Sequence, residues 1–545
     1  MLQRCKEDLQ LSQLQSHLAA IAAAPELGNL SRILRGLEKE SLRTSLNGDL
    51  SQKPHNSTLG SALTHPEITT DFSESLLEFI TPPHKNIPDL LEHLDRIHRF
   101  TYQSIGDELL WVNSMPCSIG KDANIPVAQY GSSNVAKMKT TYRLGLGNRY
   151  GRSMQTIAGV HYNFSFPDEF WIELQKIEKN NDSLKDFKTQ RYFDLIRNFR
   201  RFFWLLLYLF GAAPAVCSSF VKDKAHALKP LQHNNNTLHS PYATSLRMGD
   251  LGYQSNAQKS ISARYNNLPD YLSALCSAIT QPHPPYTALG IKDPHGNYQQ
   301  LNDGILQIEN EFYSPIRPKR TAASGETALR ALYDRGVEYI EVRCIDLDPF
   351  EPAGISSEQI HFIDAFLLFC LLSESKQASL KDCQQIQYNQ QQIVYNGRDP
   401  KLQLLDKGSS RSFGEWSIEL IDGIEKTAKL LDNANGGTNH YQVIVSQQRE
   451  KISNAEKTPS AKILNSLKDN QESFFGFGLK KSQEHAEYFR SRPLSDQQMA
   501  TYKKFAEESL IAQKEIESKD TINFETYLKN FYAQYNYCSE QKKLV

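Results

Sequence analysis

Apolar and polar positions alternate with a period of two at several places in the first two thirds of the chain. The alternation is clearest in Val160-His161-Tyr162-Asn163-Phe164-Ser165-Phe166, where apolar and aromatic side chains take one face and His, Asn and Ser the other. That is the pattern of a half-buried strand. Helical spacing fills the intervals and predicts helices over 89–102, 193–210 and 359–372. Strands mixed irregularly with helices predict an α+β layout, an antiparallel or mixed sheet under helical cover, and not a regular βαβ repeat. From about Glu374 the chain turns rich in Gln, Asn, Lys and Ser, with a biased patch at 384–392, and amphipathic helical spacing returns at 416–431, 461–467 and 499–516. This last third reads as helical packing and solvated surface, with no chemistry of its own.

Composition narrows the classes. At about 150 residues per domain, 545 residues hold roughly three to four domains' worth of chain. Lys and Arg number 61 against 62 Asp and Glu, so no global field gathers nucleic acid or anionic lipid. Eight cysteines (Cys5, Cys117, Cys217, Cys276, Cys344, Cys370, Cys383, Cys538) lie far apart with no CxxC, which predicts reduced thiols in a cytoplasm. The N-terminus mixes Arg4, Lys6, Glu7 and Asp8 before helically spaced leucines and lacks the continuous apolar core of a secretory signal. Residues 202–221 are uncharged and long enough for a bilayer, but Gly211, Pro214, Ser218 and Ser219 break their second half. A buried helix ending at Phe210, with a turn over 211–214, is the expectation.

No GxxxxGK[ST] occurs, and Gly145, Gly147 and Gly151 have neither its spacing nor its lysine. Acids instead sit inside strand-like apolar runs. Glu38 and Glu40 in ILRGLEKESLR are two apart, so a strand projects both from one face. Glu78 lies between Leu77 and Phe79, with Asp71 before Phe72, and Glu341 alternates with Tyr339 and Arg343 on one face of GVEYIEVRCIDLDPF. In one sheet these carboxylates converge, and each pair about 4 Å apart repels by roughly 4 kcal/mol at an effective dielectric of 20. Cations must compensate. Hard oxygen ligands with at most one His suit Mg²⁺ or Mn²⁺, which bridge nucleotide phosphates. Arg317, Lys319 and Arg320, with Arg343, supply phosphate-binding charge. His161 and Asn163 share a polar strand face, onto which the period of two also places Gln155.

The segments RGLEKESLR, LGSALTHPEITTDFSESLLEFITP, MQTIAGVHYNFS, PYATSLRMGDLGY, NEFYSPIRPKR and GVEYIEVRCIDLDPF, in this order, closely resemble the glutamate-cysteine ligases (γ-glutamylcysteine synthetases) of the proteobacterial type. The resemblance is dense from about Arg35 to Pro352 and thinner to about residue 525, and it departs most at 384–392. It implies a glutamine-synthetase-like α+β fold, with a curved antiparallel sheet lining the active site, helices behind, and a largely helical C-terminal third. The implied unit spans 10–525, with a catalytic core over about 30–375 and a helical part over about 376–545. The implied reaction joins the γ-carboxyl of L-glutamate to the amine of L-cysteine at the expense of ATP, through a γ-glutamyl phosphate. The family pattern makes Glu38, Glu40, Glu78, His161 and Glu341 the Mg²⁺ shell and Arg343 a catalytic phosphate contact, to which the basic cluster adds Arg317 and Lys319 as phosphate-binding candidates. Phe72, Tyr142, Gln155, Asn163, Arg247, Tyr253 and Tyr313 are similar to residues holding the amino acids, and Asp71 is a candidate to receive the amine's proton. A cytoplasmic monomer with small-molecule substrates follows, with neither nucleic acid nor membrane as partner. A different amine acceptor, or a non-catalytic nucleotide or thiol sensor on the same scaffold, are the competing expectations.

Overall fold

The alternating segments form one antiparallel sheet. Strands β1 (Leu34–Thr44), β2 (Ile68–Thr70), β3 (Leu76–Ile80), β4 (Leu109–Leu110) and β5 (Val160–Ser165) come from the first third of the chain. A three-stranded sheet follows, made of β6 (Ala215–Cys217), β7 (Lys229–Leu231) and β8 (Asn234–His239), before β9 (Ile316–Lys319) and β10 (Tyr339–Ile345) return to the main sheet. A hairpin of β11 (Gln403–Asp406) and β12 (Ser409–Ser412) comes last. The main sheet runs β2-β3-β1-β5-β10-β9, with β4 on the end of β1. This computed structural model describes residues 2–24, 27–222, 225–252, 257–261 and 263–538.

The period of two decides what each face carries. Leu37, Phe79, Tyr162 and Val342 point back into the core, all fully buried. Behind the sheet pack the helices Ile87–Ser104, Leu184–Phe202 and Ser357–Leu372, the last buried on every side from Gln359 to Leu372, with Asp364 the one acid in that stretch. The back of β1 departs from a simple apolar face, since it buries three basic side chains, of which burial pushes Lys39 down to about 7. Each has its own partner: Arg35 pairs with Asp364 at 2.7 Å, Lys39 Nζ lies 2.7 Å from His98 Nε2, and Arg43 pairs with Glu108 at 2.8 Å. Pro318 sits in β9, an edge strand, where its missing N–H breaks no ladder.

The helix expected over 193–210 is two, Leu184–Phe202 and Trp204–Phe210, and the second ends at Phe210 as anticipated. Among the described residues no helix is long and apolar enough to cross a membrane. The C-terminal helices close onto the sheet body at several points. Tyr441 donates to Asp364 at 3.2 Å, Arg492 pairs with Asp95 at 3.0 Å, and Ser509 accepts from the Ser61 N–H at 2.9 Å. One cluster of buried hydrophobic residues accordingly runs from Leu14 to Cys538.

The thiol expectation is corrected. Cys117 is bonded to Cys217 and Cys276 to Cys538, with Cα atoms 5.6 and 5.7 Å apart. Separations of 100 and 262 residues left no spacing motif to read. Cys344, Cys370 and Cys383 are free.

Candidate active site

Register places the acids together. Glu40 lies opposite Glu78, Glu38 opposite His161, and Glu341 opposite both Asn163 and Arg317. Directly opposed residues share a face, so five neighbouring strands present Glu78, Glu40, Glu38, His161, Asn163, Glu341, Arg317 and Lys319 to one side. Between Val342 and Ile345 the pairing of β10 with β5 shifts by one residue, a bulge at Arg343 and Cys344. A bulge locally re-aims a side chain. Arg343 Nη1 donates to Glu341 Oε1 at 2.8 Å and lies 3.4 Å from His161 Nδ1.

Glu38, Glu78 and His161 each offer a ligand atom, all within 4.8 Å of one another. His161 Nδ1 is 3.2 Å from Glu38 and 3.6 Å from Glu341, and its Nε2, buried without a hydrogen bond, has Glu40 Oε1 at 3.8 Å. Asn163 Nδ2 donates to Glu38 at 2.8 Å, and the Gly159 N–H donates to Glu40 at 2.8 Å. This donor set of hard oxygens and one imidazole, with an unpartnered buried nitrogen, fits a divalent cation.

Charge divides the four carboxylates. Burial and the neighbouring Asp71 push Glu40 up to about 8, and burial, Asp71, Glu38 and Glu40 push Glu78 well above the carboxylate range. Burial and Glu341 press Glu38 the same way, but the His161 hydrogen bond and Lys319 hold it below its ordinary value. Against its burial, Arg343, Lys319 and His161 keep Glu341 well below. Burial and Arg343 lower His161, which stays neutral and able to ligate. Cys344 is inert, its thiol pushed up by burial to about 12.

The other expected residues divide. Asp71 joins the acids Glu40 and Glu78, and Lys319 Nζ stands 3.4 Å from Glu341. Phe72 is fully buried beside Gly147 of the helix Asn134–Tyr150, which also carries Tyr142. Gln155 is not on the β5 face. It lies in the turn Ser153–Thr156, because the chain bends before β5 begins, and its Nε2 donates to the Tyr313 hydroxyl at 3.2 Å. Arg317 faces Glu341 across the β9–β10 pair, and its Nη2 donates to the carbonyls of Asn310 (2.7 Å) and Phe312. Arg320 pairs with Glu338 at 3.7 Å, away from the acids. Arg247 is 1 % exposed, donates to the Arg343 carbonyl at 3.0 Å and lies 3.7 Å from Asp346. A Cβ on Gly159 would stand 2.0 Å from its Nη2, so only glycine lets that guanidinium pass beneath Glu40. Tyr253 lies outside the described residues.

Sequence reasoning missed two features. Arg143 bonds the Asp71 carbonyl and adds a cation beside Glu78. The Gln-rich patch forms the helix Leu380–Asn396, and Cys383, Gln387 and Gln390 line a cavity of about 450 Å³ with Arg343, Tyr313 and Gln258. No local motif marks that contact, which only tertiary packing creates.

Comparison with known proteins gives one family. The glutamate-cysteine ligase family model matches residues 18–393. A glutamate-cysteine ligase of Alcanivorax borkumensis is 50% identical over 526 residues, covering 96% of this chain and 100% of that protein. One from Pseudomonas aeruginosa is 46% identical over 520 residues, 95% of this chain and 98% of the relative. Among solved structures, the Francisella tularensis glutamate-cysteine ligase in complex with AMP superposes with a TM-score of 0.87 at 39% identity, covering 93% of this chain and 99% of that one. A bifunctional glutathione synthetase from Pasteurella multocida gives a TM-score of 0.67 at 25% identity, covering 86% of this chain and 54% of its own.

Proposed function

The chain belongs to the glutamate-cysteine ligase family, and from that premise we propose how its residues carry the reaction. The enzyme joins the γ-carboxyl of L-glutamate to the amine of L-cysteine with hydrolysis of ATP to ADP and phosphate, the first step of glutathione biosynthesis. A carboxylate is a poor acylating agent, so its oxygen first attacks the γ-phosphorus of ATP and ADP departs. The product is a γ-glutamyl phosphate. Arg343 and Lys319, aimed at this face by the bulge and the register, neutralise the transferring group. Glu38, Glu78 and His161, flanked by Glu40 and Glu341, are the residues that would hold Mg²⁺. The ion supplies further neutralisation of phosphate charge.

Phe72, Tyr142 and Tyr313, with Gln155 on the Tyr313 hydroxyl, form the pocket for the amine acceptor. The cysteine ammonium must lose a proton before it attacks the acyl phosphate, and Asp71, beside Glu40 and Glu78, accepts it. Attack at the γ-carbonyl then expels phosphate. Asn163 orients Glu38, while Arg247 holds the Arg343 carbonyl of β10. Residues 10–525 work as one unit, a reading supported by the core cluster that runs from Leu14 to Cys538. The substrates and ATP are cytoplasmic metabolites, so the enzyme works there, as a monomer.

The observation that carries this reading is the single sheet face on which acids, imidazole and cations fall in register. Purified protein given Mg-ATP and glutamate should release ADP on addition of cysteine and yield the mass of γ-glutamylcysteine. Release only with another amine would keep the fold and remove the substrate, and no release with any amine would favour a sensor.

A further inference from the structure

Two rings of the acceptor pocket hang from one carboxylate buried behind them. Glu311 has no exposed side-chain surface, and neither has Arg149, whose Nη1 donates to Glu311 Oε1 at 3.0 Å. The same oxygen accepts from the Tyr150 hydroxyl at 2.6 Å, and Oε2 accepts from the Gln307 N–H at 2.7 Å. Two branches leave this hub.

In the first, Gln258 Nε2 donates to the Tyr150 oxygen at 3.2 Å and to the Glu311 carbonyl at 2.9 Å, while Gln258 Oε1 accepts the Tyr313 N–H at 2.9 Å. The Tyr150 ring also packs 6.0 Å from the Tyr313 ring, centre to centre. In the second, Gln307 Nε2 donates to the Tyr142 carbonyl at 3.1 Å, and its Oε1 lies so close to Gly145 that a Cβ there would stand 2.0 Å away. Tyr142, Arg149 and Tyr150 share the helix Asn134–Tyr150, whereas Tyr313 follows Glu311 by two residues on another segment. The carboxylate therefore cross-links the two segments that carry opposite walls of the pocket. Its two oxygens between them accept from three donors, one of which a neutral amide in the same place would have to give up.

We propose that Glu311, acting through Tyr150 and Gln258, is a positioning residue that sets the separation of Tyr142 and Tyr313 and thereby the affinity for the amine acceptor. The inference rests on the assignment of those tyrosines to the acceptor pocket. Neither Tyr150 nor Gln258 has to touch a reacting atom for it to hold.

The test compares KM values. Tyr150→Phe keeps the ring packing and removes only the bridging hydroxyl, and Gln258→Met fills the same volume without the amide. Tyr150→Phe removes two hydrogen bonds and Gln258→Met three, and each should raise KM for cysteine at least about fivefold, with kcat and the KM values for glutamate and ATP unchanged. The double variant should be no worse than the more affected single one, because both break the same branch. Glu311→Gln should exceed either, and if it does not fold the first two variants decide. A generally loosened structure would move all three KM values together and would overturn the proposal. Tyr313→Ala separates the two claims: if it raises the cysteine KM while Tyr150→Phe leaves it unmoved, the positioning role fails and the pocket stands. If Tyr313→Ala leaves the cysteine KM unmoved, the pocket assignment fails and takes the positioning role with it.

Discussion

Glu40 is where pH and cation binding meet, and lowering the pH from 8 to 6 is the perturbation that exposes it. Burial and Asp71 raise this carboxyl to about 8, against the opposing pull of Arg247, Arg343 and the Gly159 N–H. A divalent cation requires the carboxylate, so binding must displace a proton. With a pKa of about 8, the group is half ionised at pH 8 and about 1% ionised at pH 6, so apparent affinity falls about fiftyfold, or about 2 kcal/mol. Glu78, also raised, adds in the same direction, whereas Glu38, held low by the His161 hydrogen bond and Lys319, and Glu341, held low chiefly by Arg343 and Lys319, add nothing. In the metal-free protein the sign reverses. A folded value of about 8 above the ordinary 4.5 gives stability that is full below 4.5 and is lost as the pH rises through 8. Calorimetric titration with Mg²⁺ or Mn²⁺ at pH 6, 7 and 8, in two buffers of different ionisation enthalpy, reads both affinity and protons released. Glu40→Gln should flatten the profile. An affinity constant from pH 6 to 8, with no proton released, would refute the reasoning.

Other consequences are simpler to read. Glu38→Gln is nearly isosteric and should leave the thermal midpoint in place while turnover falls at least about a hundredfold, followed by ADP release. Arg343→Lys replaces a planar fork by a point charge and should lower kcat about tenfold with the KM for cysteine unchanged in steady-state kinetics. Gly159→Ala drives a methyl into Arg247, so denaturant unfolding should show a loss of about 2 kcal/mol, and turnover should fall as Glu40 is displaced.

The site was legible where a period of two survives folding. Glu38, Glu40, Glu78, His161 and Glu341 lie on one face because strand alternation is a local property, visible before any tertiary contact forms. Gln155 was misplaced because the alternation was extended through Gly159 into a turn, where it no longer applies. Arg317 sits in a basic run, and its Nη2 is turned back onto the carbonyls of Asn310 and Phe312 just before its own strand, a fold-back that residue type alone does not reveal. The buried basic side chains on the back of β1 gave no local sign either, since Asp364 lies 329 residues from Arg35. Glu311 lies within NEFYSPIRPKR with no local sign of its role, because its partners Arg149, Tyr150 and Gln258 come from two other segments. The cysteine pairs likewise needed the fold to bring them together.

The central claim is that ligation runs through a phosphorylated γ-carboxyl on this sheet face, and transfer of isotopic oxygen tests it most directly. Glutamate labelled with ¹⁸O in both γ-carboxyl oxygens is turned over with Mg-ATP and cysteine, and the inorganic phosphate and γ-glutamylcysteine are weighed by mass spectrometry. An acyl phosphate leaves one labelled oxygen in each phosphate and the other in the amide carbonyl. Phosphate free of label alongside γ-glutamylcysteine formation would contradict the account.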